Sequence, residues 1–544
     1  SSRFDSGQAS WPDTRGKRAR TFIATMSVNR LVSAEASSGG ELHNSAAASW
    51  LARIPLDFVY IWEERQICPE ALEASLRQIL AIYPAVAGRI ADGNRPSVTS
   101  QGHSVCRVVS NNEGVGFEVV KVPGSARDVA GMEDGPSRGT FTTYPSVRQV
   151  IAGAAPLLTV KLTMFEEGGC ALGLIANHIV FDGWTFATFM KDWSELHNGR
   201  QVPSTTPYPP AELLRTPSAE EAQSIAKRKG LRCLASGLMC KLAVKVIFPL
   251  KFRFLLRAPL KRSVLHFTDQ ELTVLKARAQ AKAGTWVSTN EALLAHLHPL
   301  MLEVCGVPED RWHCLGAGIA VNLRGKLSGV SPRAIGNLVC CGTCSYDLKD
   351  PGGGAALAVH KAMRRELTEG ELRGSIALSN HMFAQSEVFM HETLKHGTPG
   401  FISHWNYQAT NPYYEVDFGA GRPDRALPWS FEAVKVMKGP RGGLDVMVHQ
   451  GEGMGIRDWI RNPYRCLASG LSVAIVAIVG HIWWTRKTSS GRATGAHLGF
   501  GALLFALRRA IAHAHERRVR SCFIALENHP KLRSFTQEIG AFGA

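Results

Sequence analysis

His178-Ile179-Val180-Phe181-Asp182-Gly183 places an imidazole and a carboxylate four residues apart. The six residues that lead into it, Ala171-Leu172-Gly173-Leu174-Ile175-Ala176, are apolar and read as a short buried strand. After Gly183 the apolar residues Trp184, Phe186, Ala187, Phe189, Met190, Trp193 and Leu196 recur at spacings of three and four, which predicts a helix. A strand, a tight turn and a helix therefore follow one another, with the imidazole at the strand's end. One reading makes His178 a general base, because imidazole is the side chain that titrates near neutral pH. The other makes His178 a hydrogen-bonded core histidine and Asp182 the N-cap of the next helix. The six residues alone leave both open.

Around this stretch, 544 residues with 45% hydrophobic content suffice for more than one core. The formal charge is +16, but the basic residues are spread and carry no zinc-finger, helix-turn-helix or arginine-repeat signature. No nucleic-acid partner is expected; an anionic membrane or an anionic cosubstrate accounts for the charge equally well. Twelve cysteines lie scattered without the dense spacing of a secreted disulfide scaffold, which predicts a reducing compartment. Cys341 and Cys344 have CxxC spacing but no second Cys/His pair at zinc-site distance, so no metal site is predicted.

Residues 1–49, rich in Ser, Ala, Gly and Arg, lack an apolar signal segment and read as a flexible N-terminal arm or leader. Helical spacing runs through Leu72, Leu76, Ile79 and Leu80 over 69–83, and strand-like runs follow near 104–109 and 116–122. Prolines at 203, 207, 209, 210 and 217 mark a surface connection between two domains. Beyond it, 227–262 holds eleven Lys/Arg and no Asp or Glu, with Leu231, Leu234, Leu238, Leu242 and Val246 at helical spacing. This predicts a basic amphipathic helix, either lying on an anionic membrane or covering a core between domains.

A second globular region starts at Val264. Its helices open at Thr268-Asp269-Gln270-Glu271 and Ser288-Thr289-Asn290-Glu291, and its strands fall near 317–323, 338–346 and 444–449. The nineteen residues 466–484 contain no Asp, Glu, Lys or Arg and end at Trp483-Trp484 against Arg486-Lys487, which predicts a membrane span. The expected organisation is an arm (1–49), a first lobe (50–205), a basic crossover (206–263), a second lobe (264–455) and a C-terminal extension (456–544).

The hexapeptide resembles the HXXXDG signature of the BAHD acyltransferases and the wider chloramphenicol-acetyltransferase-like superfamily. Leu56-Asp57 and Tyr83-Pro84-Ala85-Val86-Ala87-Gly88-Arg89 resemble the family's N-terminal segments. Val321-Asn322-Leu323-Arg324 with Gly336-Asn337, and Asp417-Phe418-Gly419-Ala420-Gly421, resemble its "VN-R … GN" and DFGWG segments. The resemblance spans roughly residues 50 to 455. It implies an α/β (α+β) fold of two similar lobes, each a mixed sheet with helices, around a central channel, to which the apolar C-terminal helix would be added.

The same resemblance implies an activity. His178 would take a proton from an acceptor hydroxyl, less readily an amine, as that atom attacks the thioester of acyl-coenzyme A, a cosubstrate and not a resident cofactor. No acyl-enzyme is needed, because one channel holds both substrates. Asp182 would turn away from the channel and pair with Arg324. Ser403 and Trp405 would donate to the oxyanion, while Gly183, Asn337, Asp417, Phe418 and Gly419 would be structural.

Two positions depart from the pattern: Ala420 stands where the motif carries tryptophan, and Asn177 where condensation domains and wax-ester synthases carry a second histidine. The expected protein is a monomeric, membrane-attached O-acyltransferase with a small lipophilic alcohol acceptor, its catalytic part facing the cytosol. A catalytically silent scaffold of the same fold and a carrier-protein-dependent, condensation-like enzyme are the competing readings.

Overall fold

The computed structural model describes residues 26–35, 39–91, 97–98, 104–130, 139–207, 211–235, 260–304, 315–346, 354–385, 387–391, 401–404, 411–429 and 434–451. Within them, two six-stranded mixed sheets form the centres of two lobes. The first runs in the order Met26–Val32, Val115–Val122, Leu158–Phe165, Cys170–Asn177, Pro55–Trp62, Arg425–Trp429. The second runs Leu260–Phe267, Leu444–Gly451, Val434–Lys438, Phe401–His404, Leu315–Asn322, Val339–Tyr346.

Every residue of Cys170–Asn177 is buried. That is why the run is continuously apolar: strands flank it on both sides, Leu158–Phe165 and Pro55–Trp62, and its two faces both meet core. Gly173 sits mid-strand because a Cβ there would overlap the carbonyl oxygen of Phe141. The helix Pro69–Ile82 buries Leu72, Leu76, Ile79 and Leu80 as its spacing predicts, and packs against the helix Gly183–His197. Both predicted helix starts of the second lobe are built. Thr268 and Glu271 form a complete capping box, and Ser288 Oγ accepts from Glu291 N at 3.2 Å while Glu291 Oε2 accepts from Ser288 N at 2.6 Å.

Three sequence expectations need correction. Residues 26–49 are not an arm: Met26–Val32 is the edge strand of the first sheet, paired along its length with Val115–Val122, and Glu41–Asn44 and Ala46–Leu51 are also ordered elements. The composition of 1–49 averages an apolar-alternating strand with its polar surroundings and so hides it. Residues 264–455 are not one contiguous lobe, since Arg425–Trp429 pairs antiparallel with Pro55–Trp62 and closes the first sheet. Tyr413, Tyr414, Val416, Phe418 and Ala420 likewise belong to the first lobe's core. Leu231–Ala235 is not helical but a strand, antiparallel to Val388–His391. Its periodicity was overridden by a partner more than 150 residues away, a pairing that local spacing does not encode.

The rest of the basic segment, 236–259, and the candidate span 466–484 lie outside the described residues. Among the described residues no helix is long and apolar enough to cross a membrane, and no group of His, Cys, Asp or Glu could hold a metal ion.

Two outcomes are expected. Gly173→Ala lowers stability by about 3 kcal/mol, the cost of forcing atoms into a close-packed site, read as a drop in the midpoint of denaturant unfolding. His298, 1% exposed on the helix Thr289–Val304, has its imidazole pushed down to about 4 by burial. The unfolded chain takes this proton near 6.5 and the folded chain only near 4, so the unfolded state binds more protons in between and stability falls as pH drops through that window. The difference in unfolding midpoint between pH 7 and pH 5 should shrink in His298→Leu.

Candidate active site

The strand Cys170–Asn177 ends at the lobe boundary, and the chain then turns through His178 before the helix Gly183–His197 begins. Asn177 makes the turn. Its Oδ1 accepts from Ile179 N at 3.0 Å, its Nδ2 donates to Ala52 O at 2.9 Å, and its carbonyl accepts from Val180 N and Phe181 N, both at 3.1 Å. An asparagine here is thus a turn-former, which answers the question raised by the absent second histidine.

Asp182 is both the N-cap and the anchor of the loop. Its Oδ1 accepts from Thr185 N at 2.7 Å, and its Oδ2 accepts from Arg324 Nη1 and from Leu338 N, each at 2.8 Å. The two side chains are 5% and 1% exposed. A buried arginine is tolerable only when its donors are met, and all five of Arg324 are. Nε donates to Ala334 O at 2.7 Å. Nη1 donates to Asp182 and to Asn322 Oδ1 at 2.9 Å, and Nη2 to Thr185 Oγ1 at 2.8 Å and Gly336 O at 3.0 Å. Phe181 and Gly336 form an isolated bridge beside them, and Gly336 adopts φ 117°, where a side chain would be strained. The structure therefore brings Asp182, Gly183, Arg324 and Asn337 to one place, where the lobes meet.

This arrangement presents His178. Asn177, Ile179, Val180 and Phe181 around it are buried, and His178 is half-buried as a residue with its ring deep in the protein. Nδ1 is sealed and makes no well-formed hydrogen bond among the described residues, although its own backbone lies close enough to favour the charged ring. Burial holds the imidazole below its ordinary value; Asp182 and the ring's own backbone oppose this, and the Lys435 ammonium adds to it. The net result is a neutral imidazole, able to accept a proton, at neutral pH.

The 417–421 segment packs elsewhere, against the far end of the helix Gly183–His197. Asp417 N donates to Ser194 Oγ at 2.7 Å, Asp417 O accepts from Asn198 Nδ2 at 2.8 Å, and Asp417 Oδ1 accepts from Gly421 N at 2.8 Å. Phe418 meets Trp193 edge-on at 4.9 Å, and Trp62 Nε1 donates to Gly421 O at 2.8 Å. Gly419 and Gly421, with φ of 77° and 72°, complete the turn, and Ala420 is 2% exposed in the first lobe's core. Ser403 lies on the strand Phe401–His404, its Cα opposite Lys435; Trp405 lies outside the described residues.

Sequence reasoning missed Thr185, which ties the helix start to both Arg324 and Gly336 O (3.0 Å), and Lys435. It also missed the triad in which the buried Tyr83 Oη donates to the buried Asp192 Oδ2 at 2.6 Å while the partly exposed Arg333 Nη2 donates to the same oxygen at 2.7 Å. A charged residue on a helix's apolar stripe, as Asp192 is, was the available signal.

A two-lobed fold with an HXXXDG turn clamped at the lobe boundary defines an acyltransferase-type architecture. A family model described as "Transferase family" matches residues 23–449, and the chain belongs to that family, the BAHD acyltransferases. It is similar to tryptamine benzoyltransferase 1 of Oryza sativa subsp. japonica, 29% identical over 53% of this chain and 59% of that protein. It is also similar to the malonyl-CoA:anthocyanidin 5-O-glucoside-6''-O-malonyltransferase of Arabidopsis thaliana, 24% identical over 55% of this chain and 65% of that protein. The aligned part thus spans less than two thirds of either relative's length. The fold is shared with F. graminearum TRI101, solved with coenzyme A and T-2 mycotoxin, at TM-score 0.55 and 15% identity, over 76% of this chain and 95% of that one.

Removing one member of a buried pair strands the other, so Arg324→Met should cost about 3 to 5 kcal/mol. The double variant Asp182→Leu/Arg324→Met should cost less than the sum of the two single changes, and a double-mutant cycle on unfolding midpoints reads that coupling.

Proposed function

We propose that this chain transfers an acyl group from acyl-coenzyme A to a hydroxyl acceptor, with His178 as the general base. The observation that carries the reading is the Asp182–Arg324 clamp, which fixes the turn carrying a half-buried imidazole that is neutral at neutral pH. In the reaction, Nε2 accepts the acceptor's proton while the acceptor oxygen attacks the thioester carbonyl carbon. The tetrahedral intermediate then breaks its C–S bond, and the coenzyme A thiolate takes the proton back from the imidazolium. No serine nucleophile enters, since binding both substrates together supplies the proximity. Ser403 and Trp405 are the proposed donors to the oxyanion.

The relatives' names include a transferase for an amine, tryptamine, and one for a sugar oxygen. A neutral imidazole serves either acceptor, and the hydroxyl is preferred here because its proton must be removed during attack. Ala420 is buried in the first lobe's core, which supports an intact turn at this position and so an active enzyme over a silent scaffold. The apolar segment 466–484 supports attachment to a membrane, and the scattered cysteines support catalytic lobes in a reducing compartment such as the cytosolic face.

His178→Ala should lower acyl transfer by a factor on the order of a thousand, followed as free thiol released from acyl-coenzyme A, with the unfolding midpoint little changed. Full activity in that variant would end the base assignment. Because only the neutral ring is a base and its pKa lies below 6.5, kcat/KM should be flat through neutral pH and fall only under acid conditions, with a midpoint below 6.5.

A further inference from the structure

The helix Gly183–His197 is gripped from the second lobe at two places. The first is its N-cap, where Arg324 holds Asp182 and Thr185. The second is Asp192. At 1.5 Å of rise per residue, the positions from 182 to 192 put this second grip about 15 Å further along the axis. There Arg333 Nη2 donates to Asp192 Oδ2 at 2.7 Å, and its Nη1 reaches Oδ1 at 3.4 Å. Tyr83 Oη donates to the same Oδ2 at 2.6 Å. Val330 and Ala334, on either side of Arg333, lie in the second lobe's core, whereas Tyr83, Met190 and Trp193 lie in the first lobe's. The Arg333–Asp192 bond therefore crosses between the lobes, and the Tyr83–Asp192 bond does not.

Arg333 also reaches the crossover. Its Nη2 donates to Pro203 O at 2.8 Å, and the next residues, Ala334–Ile335, pair in parallel with Thr206–Pro207. Between these contacts Thr205 Oγ1 donates to Ile82 O at 2.8 Å, beside Tyr83. One guanidinium thus joins the helix that carries the catalytic turn, the start of the crossover and the second lobe. A rod held at one point lets the two lobes pivot about that point, and a rod held at two separated points does not. Where two substrates react between lobes, a pivot that misplaces one of them by about 1 Å costs on the order of a hundredfold in rate. The contacts each substrate makes with its own lobe survive such a pivot, so binding is spared.

Resting on the acyltransfer reading, we propose that Arg333 is a positioning residue whose inter-lobe bond to Asp192 fixes the orientation of one lobe against the other, and with it the alignment of acceptor and acyl-coenzyme A.

Arg333→Met, Arg333→Lys and Tyr83→Phe are compared with the wild-type full chain. Transfer is followed as thiol release with benzoyl- or malonyl-coenzyme A as donor and benzyl alcohol or tryptamine as acceptor. Calorimetry measures the binding of each donor alone, and hydrogen exchange over residues 203–207 and 331–338 reports the latch itself. Arg333→Met should lower kcat by about tenfold or more, leave donor Kd within twofold and speed exchange over both segments. Arg333→Lys, which keeps the cation, should return kcat to within threefold of wild type. Tyr83→Phe removes a bond inside the first lobe, so it should lower the unfolding midpoint yet leave kcat and exchange within twofold. An unchanged kcat in Arg333→Met, an equal loss in Tyr83→Phe, or a loss carried wholly by weaker donor binding would each overturn the proposal. If Arg333→Met does not fold, Arg333→Gln, which keeps a donor over Asp192, is judged by the same criteria. No thiol release by the wild-type chain would end the acyltransfer reading alone. The latch is then judged by exchange: faster in Arg333→Met and not in Tyr83→Phe sustains it, and unchanged in Arg333→Met overturns it.

Discussion

The ion pair between Asp182 and Arg324 is the constraint on which the site depends. Two charges removed from water would destabilise the protein unless every donor and acceptor were met, and here they are: five guanidinium donors find five acceptors, and both carboxylate oxygens are engaged. The partners come from both lobes. Thr185 and Asp182 belong to the first, while Asn322, Ala334, Gly336 and Leu338 belong to the second. One buried pair therefore sets the turn that carries His178 and the relative seating of the lobes beside it, so damage to either residue reaches both stability and chemistry.

The carboxylate acts on the imidazole through geometry more than through charge. Asp182 favours the protonated ring, yet the larger influence is burial, which keeps the ring neutral. An imidazole held in this way is neutral at neutral pH and can accept a proton. The 417–421 turn has a different task. It grips the end of the helix Gly183–His197 remote from the imidazole and, with Trp62 and Phe418, ties the late chain segment to the first sheet.

Much of this was legible in the residues themselves. The continuous apolar run before His178 announced a strand covered on both faces. The spacing after Gly183 announced the helix, and the Thr268 and Ser288 boxes announced two more. Asp182 was open between N-cap of the next helix and partner of Arg324, and the structure makes it both at once, because its two oxygens serve different donors. Lys435 was overlooked although it interrupts an apolar alternation, Val434-Lys435-Val436-Met437, where a charge on an inward face is unusual.

Local chemistry thus determined the elements and the turn, since helix caps, alternation and turn residues act within a few positions of each other. Which strands become neighbours was decided only in three dimensions. Arg425–Trp429 crosses to the first sheet, Leu231–Ala235 becomes a strand against Val388–His391, and Met26–Val32 forms an edge. Those pairings join segments from 83 to 372 residues apart that must bury against each other together. The placing of a second-lobe guanidinium against a first-lobe carboxylate has the same origin, because the packing of two separate cores sets that distance.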